Sequence, residues 1–461
     1  PTTAEPRITP EEPVSTQVAP QTAPAHDYVV VDRYTDIVGP SNEMVGPVAD
    51  GGRIEFRTVP GCWGPMITPS LRSGHEVSLP VRVAGAEIGD AVVIHVEALE
   101  QTSRATTSGT ATEVEGAFIS DPFIATICPT CRDAGRHFLY PDTYLDGTGP
   151  QAVKCAACHT PVGAFRMAEG YTMAFDDEKS IGVTVAPARA QDMARDAREW
   201  VALTEHATQH PIVALGTADL VGTMTRTRIS VGNLGSIPAI DLPSSHNCGD
   251  FGAFLIGAQH EFALTEDQLE LRTEAHMDID SVRVGSTLIV PVKVDGAGIY
   301  AGDVHAMIGD GEIAVHTTDI AARLVVRVEV IKGLELDGPL LLPPVEDLPF
   351  LARPFTAAEV ARGRALAAAN ATGLEGPVLP VQVLGSAAFL NAAVDNAVGR
   401  AARLFGMSLD EVRNRATISG AVDIGRLPGF VQLSLLVPAE RLARVGILPV
   451  VESRYGAAAG W

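Results

Sequence analysis

Four cysteines in two closely spaced pairs constrain this chain more than any other feature. Cys128 and Cys131 form C-P-T-C, and Cys155 and Cys158 form C-A-A-C. Two C-x2-C pairs at this separation can place four thiolates tetrahedrally around one Zn2+. Because four cysteine ligands leave no position for water or substrate, we assign this zinc a structural role. The alternatives are a redox-active dithiol or unpaired thiols.

The 461 residues are enough for two or three domains with a large interior. Short apolar alternations broken by Gly and Pro predict strands over much of the chain. We therefore predict a mainly β (α+β) fold, a β-sandwich body with helical additions and a zinc-ribbon insertion. The predicted segments are an N-terminal arm (1–27), a β domain (28–125), the ribbon (126–165), a β domain with the candidate site (166–345) and a C-terminal α/β segment (346–461).

Helix signals concentrate in the last hundred residues. Thr356 begins T-A-A-E, a capping box, and Ser408 precedes a helix with Glu411 three positions on. Periodicity also predicts helices over Leu390–Phe405 and around Ala188–Glu205. Dominant β-branched residues predict further strands, which are Ser286–Val294, Glu312–Thr317, Leu324–Val330 and Phe430–Val437.

The charge balance excludes several classes of partner. The chain carries 34 Lys and Arg against 56 Asp and Glu, a formal charge of −22. Such a surface repels phosphate backbones and anionic lipids, so we expect neither a nucleic-acid nor a membrane partner. The apolar runs are too short to cross a bilayer, and the N-terminus lacks the features of a signal peptide. We therefore expect a cytoplasmic location.

Polar residues cluster in three segments, 244–252 (S-S-H-N-C-G-D-F-G), 274–280 (E-A-H-M-D-I-D) and 302–312 (G-D-V-H-A-M-I-G-D-G-E). Asp303 and His305 stand at i and i+2, which places both on one face of a strand. His276 and Asp278 have the same spacing. If the two pairs converge, their oxygen and nitrogen atoms suit Zn2+ or another divalent ion. Taken alone, such a pair is more often a surface pair or a hydrogen-bonded pair than a metal site.

Two carboxylates stand at the end of the last segment, in a turn that contains glycine. Asp310-Gly311-Glu312 allows close backbone approach, and one of the two acids could be a general base. The D-G dipeptide is also typical of a simple hairpin turn.

Residues 291–313 (P-V-K-V-D-G-A-G-I-Y-A-G-D-V-H-A-M-I-G-D-G-E-I) resemble the signature of the acetamidase/formamidase family of amide hydrolases. The turn G-A-E-I-G-D (85–90) and the segment G-M-S-L-D-E-V-R-N-R-A-T-I-S-G-A-V-D-I (406–424) are also similar to that family. Asp278 matches a family Asp, whereas His276 stands where an Asn is usual. The cysteine insertion departs from the family core.

The resemblance implies hydrolysis of a small-molecule carboxamide to carboxylate and ammonia or amine. It implies a divalent metal, for which Zn2+ is expected, held by Asp278, Asp303 and His305, with His276 and His246 as extra ligands. Glu312 is then the general base and Asp310 orients it. Members of the family are usually multimeric, so a homo-oligomer is expected.

Other interpretations remain open from the sequence. Cys248, in N-C-G-D, could be a nucleophile. The chain could be a non-catalytic β-sandwich binding or assembly protein, or a different carbon–nitrogen or carbon–carbon hydrolase on the same scaffold. Isolated histidines are expected to satisfy local hydrogen bonds, namely His75, His95, His206, His210 and His260.

Overall fold

The computed structural model describes residues 24–61, 75–111, 130–131, 143–145, 153–155, 157–161, 167–207, 220–248, 263–314 and 316–457. The strands up to residue 184 are β1 (His26–Val31), β2 (Tyr34–Thr35), β3 (Ile37–Val38), β4 (Val45–Thr58), β5 (Val77–Ser78), β6 (Val81–Val83), β7 (Ala91–Gln101), β8 (Ala105–Ala111), β9 (Thr143–Leu145), β10 (Val153–Cys155), β11 (Met167–Phe175) and β12 (Ile181–Thr184).

The later strands are β13 (Met224–Arg226), β14 (Ser230–Ser236), β15 (Leu242–Pro243), β16 (Thr287–Pro291), β17 (Ile299–His305), β18 (Asp319–Ile320), β19 (Ala322–Ile331), β20 (Leu340–Leu342), β21 (Val378–Ser386), β22 (Ala421–Arg426) and β23 (Phe430–Pro438). The α-helices are α1 (Pro187–Arg195), α2 (Ala197–Trp200), α3 (Ala357–Ala369), α4 (Leu390–Phe405), α5 (Leu409–Ser419), α6 (Ala439–Val445) and α7 (Leu448–Tyr455). Short 3-10 turns cover Ser244–His246, Glu266–Leu271, Val345–Asp347 and Phe350–Ala352.

A mixed sheet of 13 strands runs through the described part of the chain. Its order is β14-β17-β6-β4-β19-β7-β16-β20-β21-β23-β22, with β1 beside β4 and β18 beside β17. Most neighbours are antiparallel, whereas β4 is parallel to both β1 and β6. A smaller sheet has the order β13-β12-β11-β8. The β14–β17 end of the main sheet carries the candidate site.

Two apolar cores cover the main sheet. One packs β-branched and aromatic side chains of its first half, among them Ile54, Phe56 and Ile94. The other packs α4 against the last strands, with Phe405 and Leu433 fully or nearly fully buried. Burial of each such side chain stabilises the fold by about 1.5–3 kcal/mol. Each half of the sheet therefore has its own hydrophobic core.

Side-chain caps start two of the C-terminal helices. The Thr356 hydroxyl accepts a hydrogen bond from Glu359 N at 3.3 Å, and the Glu359 carboxylate accepts one from Thr356 N at 2.8 Å. The Ser408 hydroxyl accepts from Glu411 N at 3.0 Å. Gly406 ends α4 with φ +61°, a left-handed conformation that glycine adopts without strain.

The mainly β (α+β) prediction is confirmed. Helices occur where sequence signals predicted them, although residues 188–205 form two short helices, α1 and α2, instead of one. The predicted strand over 312–317 is wrong, because its described residues form a turn and extended loop. Residues 1–23 of the predicted arm lie outside the described residues, and the five-segment division stays a prediction. Among the described helices, none has the length and apolarity to cross a membrane.

Candidate active site

Strand pairing brings the predicted site segments together at one end of the main sheet. β14 pairs antiparallel with β17, and β17 pairs with β18 so that His305 lies opposite Asp319. The 274–280 segment is not a regular strand, but His276 forms single bridges with Asn233 and Cys248. The pair Asp303 and His305 on β17 therefore lies close to the pair His276 and Asp278, which belongs to a neighbouring loop.

Five buried side chains form what we call the acid–histidine cluster: His75, His276, Asp278, Asp303 and His305. His276 Nε2 lies 3.0 Å from Asp278 Oδ2 and 3.2 Å from Asp303 Oδ2. His305 Nε2 lies 3.3 Å from Asp303 Oδ1, and His75 Nε2 lies 3.6 Å from the same oxygen. Two groups each offer three ligand atoms within 4.8 Å of one another, and Asp303 belongs to both.

The backbone around the cluster is unusual in two ways. Asp278, Asp303 and Glu312 have φ of +51°, +54° and +42°, in the left-handed region that Asp tolerates better than most residues. Gly232 on β14 lies so close that an added Cβ would stand 2.5 Å from both Asp278 Oδ1 and His305 Cε1. Only glycine fits there without moving the cluster.

A buried hydrogen-bond network orients His276. Its Nδ1 lies 3.0 Å from Ser245 O, and its backbone N donates to Asn247 O at 2.9 Å. Asn247 Oδ1 in turn accepts from the backbone of Thr273 and Glu274 at 2.9 and 3.0 Å. If Nδ1–H donates to Ser245 O, the lone pair of Nε2 faces the carboxylates, the arrangement typical of a metal-binding histidine.

Charge inside the cluster governs its protonation. Burial lowers the pKa of His276, yet Asp278 and hydrogen bonds to Asp278 and Asp303 hold it well above its ordinary value. Burial likewise lowers the pKa of His305. Asp303 and Asp319 have the larger effect, so the pKa of His305 is also raised. Burial raises the pKa of Asp303, but His75 and His305 keep it well below its usual range. The cluster therefore favours carboxylates facing positive charge.

Two further acids beside the cluster, Glu312 and Asp319, have raised pKa values. Burial and the neighbouring Asp278 raise the pKa of Glu312 to about 8. Burial and Asp303 raise the pKa of Asp319 to about 7. Each can therefore carry a proton near neutral pH while Asp278 and Asp303 remain ionised.

Arg426, from the end of β22, supplies the nearest permanent cation among the described residues. Gly311 bridges to Arg426, which draws this strand end toward the Asp310–Glu312 turn. Arg426 Nη1 donates to Asp278 Oδ2 at 2.9 Å and lies 3.1 Å from His276 Nε2, and its Nε is 3.9 Å from Glu312 Oε2. The guanidinium thus partly compensates the buried acids.

The side chains of the cluster fit a divalent cation. Asp278 Oδ1 is buried and accepts no hydrogen bond from any residue that the structure describes, while His305 Nε2 lies 3.8 Å from it. Carboxylate oxygens and imidazole nitrogens are ligands that Zn2+ binds readily. Asp278 and Asp303 are buried carboxylates that face histidines and one guanidinium, and buried carboxylates are normally paired with cations or bound to metal.

Two predicted site residues lie outside this arrangement. His246 is buried in the 3-10 turn Ser244–His246, in which Ser245 contacts His276, but it belongs to neither group of ligand atoms. Asp310 is exposed, and its charge acts on Asp280 and Asp423. The charges that act on Glu312 come from other residues, namely Asp278, Arg426, His305 and Asp303.

Sequence reasoning missed three residues of this region. His75 was expected only to satisfy local hydrogen bonds, and a lone histidine in S-G-H-E gives no further signal. Asp319 stands in a T-T-D stretch directly after the predicted site segment. Arg426 has no motif of its own, and only the bridge from Gly311 brings it to the cluster.

Three of the four predicted zinc ligands come together in what we call the cysteine group: Cys131, Cys155 and Cys158. Cys131 Sγ lies 3.8 Å from Cys155 Sγ and 3.7 Å from Cys158 Sγ. Cys155 ends β10, which pairs with β9, and its carbonyl accepts from His159 N at 2.8 Å. Cys128 lies outside the described residues, so a site with four cysteines stays a prediction.

Comparison with known proteins identifies the family. The model of the Acetamidase/Formamidase family matches residues 63–271 and 269–442, which is most of the 461-residue chain. The chain therefore belongs to the acetamidase/formamidase family, and it is a hydrolase that acts on amide C–N bonds. A search of curated proteins finds no significant match.

Solved structures are similar at low identity. A predicted acetamidase/formamidase from Thermoanaerobacter tengcongensis has 16% identity and a TM-score of 0.50, covering 91% of this chain and 98% of that one. An acetamidase from Yersinia enterocolitica has 14% identity and a TM-score of 0.48, with 91% and 94% covered. One from Bacillus halodurans has 15% identity and a TM-score of 0.48, with 91% and 99% covered. The first of these likenesses supports the fold.

Proposed function

We propose that this chain hydrolyses the C–N bond of a small carboxamide in a metal-dependent reaction, giving a carboxylate and ammonia or an amine. The family supplies the reaction class, and the acid–histidine cluster supplies the metal dependence. The observation that carries the proposal is the close approach of Asp278, Asp303 and His305, whose ligand atoms lie within 4.8 Å of one another.

Asp278, Asp303 and His305 would hold the ion, and His276 and His75 extend the same set of donors. When bound, a divalent cation supplies a Lewis acid that polarises the amide carbonyl. His246 remains a proposed extra ligand, because its neighbours Ser245 and Asn247 contact His276.

Proton transfer in this proposal belongs to Glu312. Its raised pKa, about 8, places its protonation change close to neutral pH, which suits a general acid–base. The carboxylate takes a proton from the water that attacks the carbonyl carbon, and it returns that proton to the nitrogen as the C–N bond breaks. The positive charge of Arg426, whose Nε lies 3.9 Å from Glu312 Oε2, favours the ionised form of this carboxylate. Asp310 as its orienter stays a prediction.

The test combines elemental analysis with ammonia release from formamide, acetamide and larger carboxamides. We expect a divalent ion beyond any held by the cysteines, ammonia release from at least one amide, loss of activity on chelation and recovery on adding the ion back. Activity that survives complete removal of metal would contradict the metal dependence. If no linear amide is hydrolysed but another C–N substrate is, the substrate class is wrong.

Three further predictions accompany this function. We propose that Cys128 completes a structural zinc site with the cysteine group, that the chain forms a homo-oligomer, and that it acts in the cytoplasm. Light scattering after gel filtration measures the oligomeric state, and zinc content after cysteine substitution measures the first prediction.

A further inference from the structure

A second charged region lies apart from the acid–histidine cluster. A cavity of about 620 Å³ is bounded by residues 269–274, Lys293, the loop 335–337 and helix α4. Its volume falls in the range of sites that hold small molecules. None of the residues of the acid–histidine cluster lines it.

Lys293 lines this cavity and has one N–H group without an acceptor among the described residues. Its ammonium donates to the backbone oxygens of Glu270 and, at 2.6 Å, of Arg272. An ammonium carries three donors, and within the described residues the third has no acceptor. Burial lowers the pKa of Lys293; Glu274 opposes this effect, while Arg400 and Arg272 add to it. Asp337 also opposes it, so two acids and two arginines act on this amine, and its unused N–H group is the feature that a ligand could engage.

Two arginines that line the same cavity also have donors left over. Arg272 is buried, with Nη1 donating to Cys248 O and Nε to Leu269 O at 3.5 Å. No residue in the described ranges accepts from its Nη2. Arg400 Nε is buried and likewise has no acceptor in the part of the chain that the structure describes.

The lining holds four carboxylates and four cations, but none of these carboxylates accepts a hydrogen bond from Arg272 or Lys293. Glu274 is bound by Arg400 at 2.7 and 2.9 Å. Asp337 is paired with Arg403 at 2.7 Å, at the exposed edge. Glu270 and Glu335 are exposed. Among the described residues, Arg272 and Lys293 therefore donate hydrogen bonds to backbone carbonyls only, while the nearby Glu274 carboxylate is bound by Arg400.

We propose that this cavity binds a small oxyanion, a carboxylate or a phosphate, through Lys293 and Arg272. Both side chains are cationic donors held in place by backbone carbonyls, and an oxyanion would accept their remaining N–H groups in charge-assisted hydrogen bonds. The overall charge of −22 repels anions at long range, so recognition must come from this local group. The proposed site shares no lining residue with the acid–histidine cluster.

Isothermal titration calorimetry on the full chain, with inorganic phosphate and with malonate, tests the proposal. We expect saturable binding of at least one anion to the wild type, weakened about tenfold or more in Lys293→Gln, because one charge-assisted hydrogen bond is lost. The matched control is Lys179→Gln, a partly exposed lysine away from the cavity, which should bind as the wild type does. The anion that binds with the lower Kd shows whether the cavity prefers a phosphate or a carboxylate ligand.

Three results would overturn the proposal. Neither anion binds the wild type; Lys293→Gln binds as well as Lys179→Gln; or binding disappears in Asp303→Asn, which would assign the anion to the metal cluster. A crystal structure of the wild type with phosphate provides a measurement that does not depend on the folding of any variant. It should place the anion against Lys293 Nζ, and phosphate found elsewhere alone would contradict the site.

Discussion

The acid–histidine cluster and the cysteine group both gather metal-binding atoms, but on different supports. Asp303 and His305 belong to a 13-stranded sheet with its own apolar core. The cysteine group rests on β9 and β10, three residues each, and its local apolar cluster consists of the cysteines themselves. An isolated two-stranded ribbon is marginally stable. A metal at the cysteines would therefore stabilise the fold, whereas a metal at the cluster is free to serve catalysis.

Substitution of Asp303 should have the largest effect on kcat/KM. We expect Asp303→Asn to lower kcat/KM by about 100-fold or more, because one ligand charge is lost while Asn tolerates the left-handed backbone. The variant should remain folded with a lower melting temperature, because a buried carboxylate that faces His276 and His305 is lost. Asp395→Asn, on exposed α4 surface, is the matched control and should retain activity. Equal activity of the two variants would remove Asp303 from the site.

Gly232 tests whether the sheet itself sets the geometry. An added methyl group would meet Asp278 Oδ1 and His305 Cε1 at 2.5 Å, so Gly232→Ala should displace these side chains and lower kcat/KM about 10- to 100-fold. Gly363→Ala, in α3, meets only Leu374 at 3.7 Å or more and serves as the control. Normal activity of Gly232→Ala would show that the cluster tolerates movement.

Arg426 allows a finer test of the acid–histidine cluster. Its guanidinium lies 2.9 Å from Asp278 and opposes binding of a metal cation. We expect Arg426→Gln to tighten metal binding about tenfold through lost repulsion, measured by competition with a chelator of known affinity. Arg364→Gln, exposed on α3, should leave the affinity unchanged. Weaker binding in Arg426→Gln would mean that the arginine orients Asp278 instead.

The smallest effect on catalysis should come from the cysteine group. Cys155→Ser should remove one zinc equivalent and lower the melting temperature by several degrees, because the local structure depends on the ion. We expect kcat/KM to remain within about threefold of the wild type, since no cysteine of the group belongs to the acid–histidine cluster. Cys248 is a buried cysteine outside the cysteine group, so the variant Cys248→Ser should keep the zinc bound by that group. A large loss of activity in Cys155→Ser would link the two sites.

The sequence predicted what depends on local pattern. Thr356 and Ser408 begin helices because their caps are short-range chemistry, and the D-x-H spacing correctly paired Asp303 with His305. It could not predict the contacts made by His75 and Arg426, because these depend on strand ends brought together from distant parts of the chain. The predicted strand after Gly311 failed because the left-handed conformation of Glu312 is invisible in residue propensities.

The left-handed conformations at Asp278 and Asp303 limit how this site can change. Branched residues such as Val or Ile would be strained there, whereas Asn or Gly would keep the backbone and discard the charge. A related chain could therefore lose the hydrolytic activity and keep the same fold through substitutions at Asp278 and Asp303 alone. When distant homologues are sorted into active and inactive, these two side chains would be more informative than overall similarity.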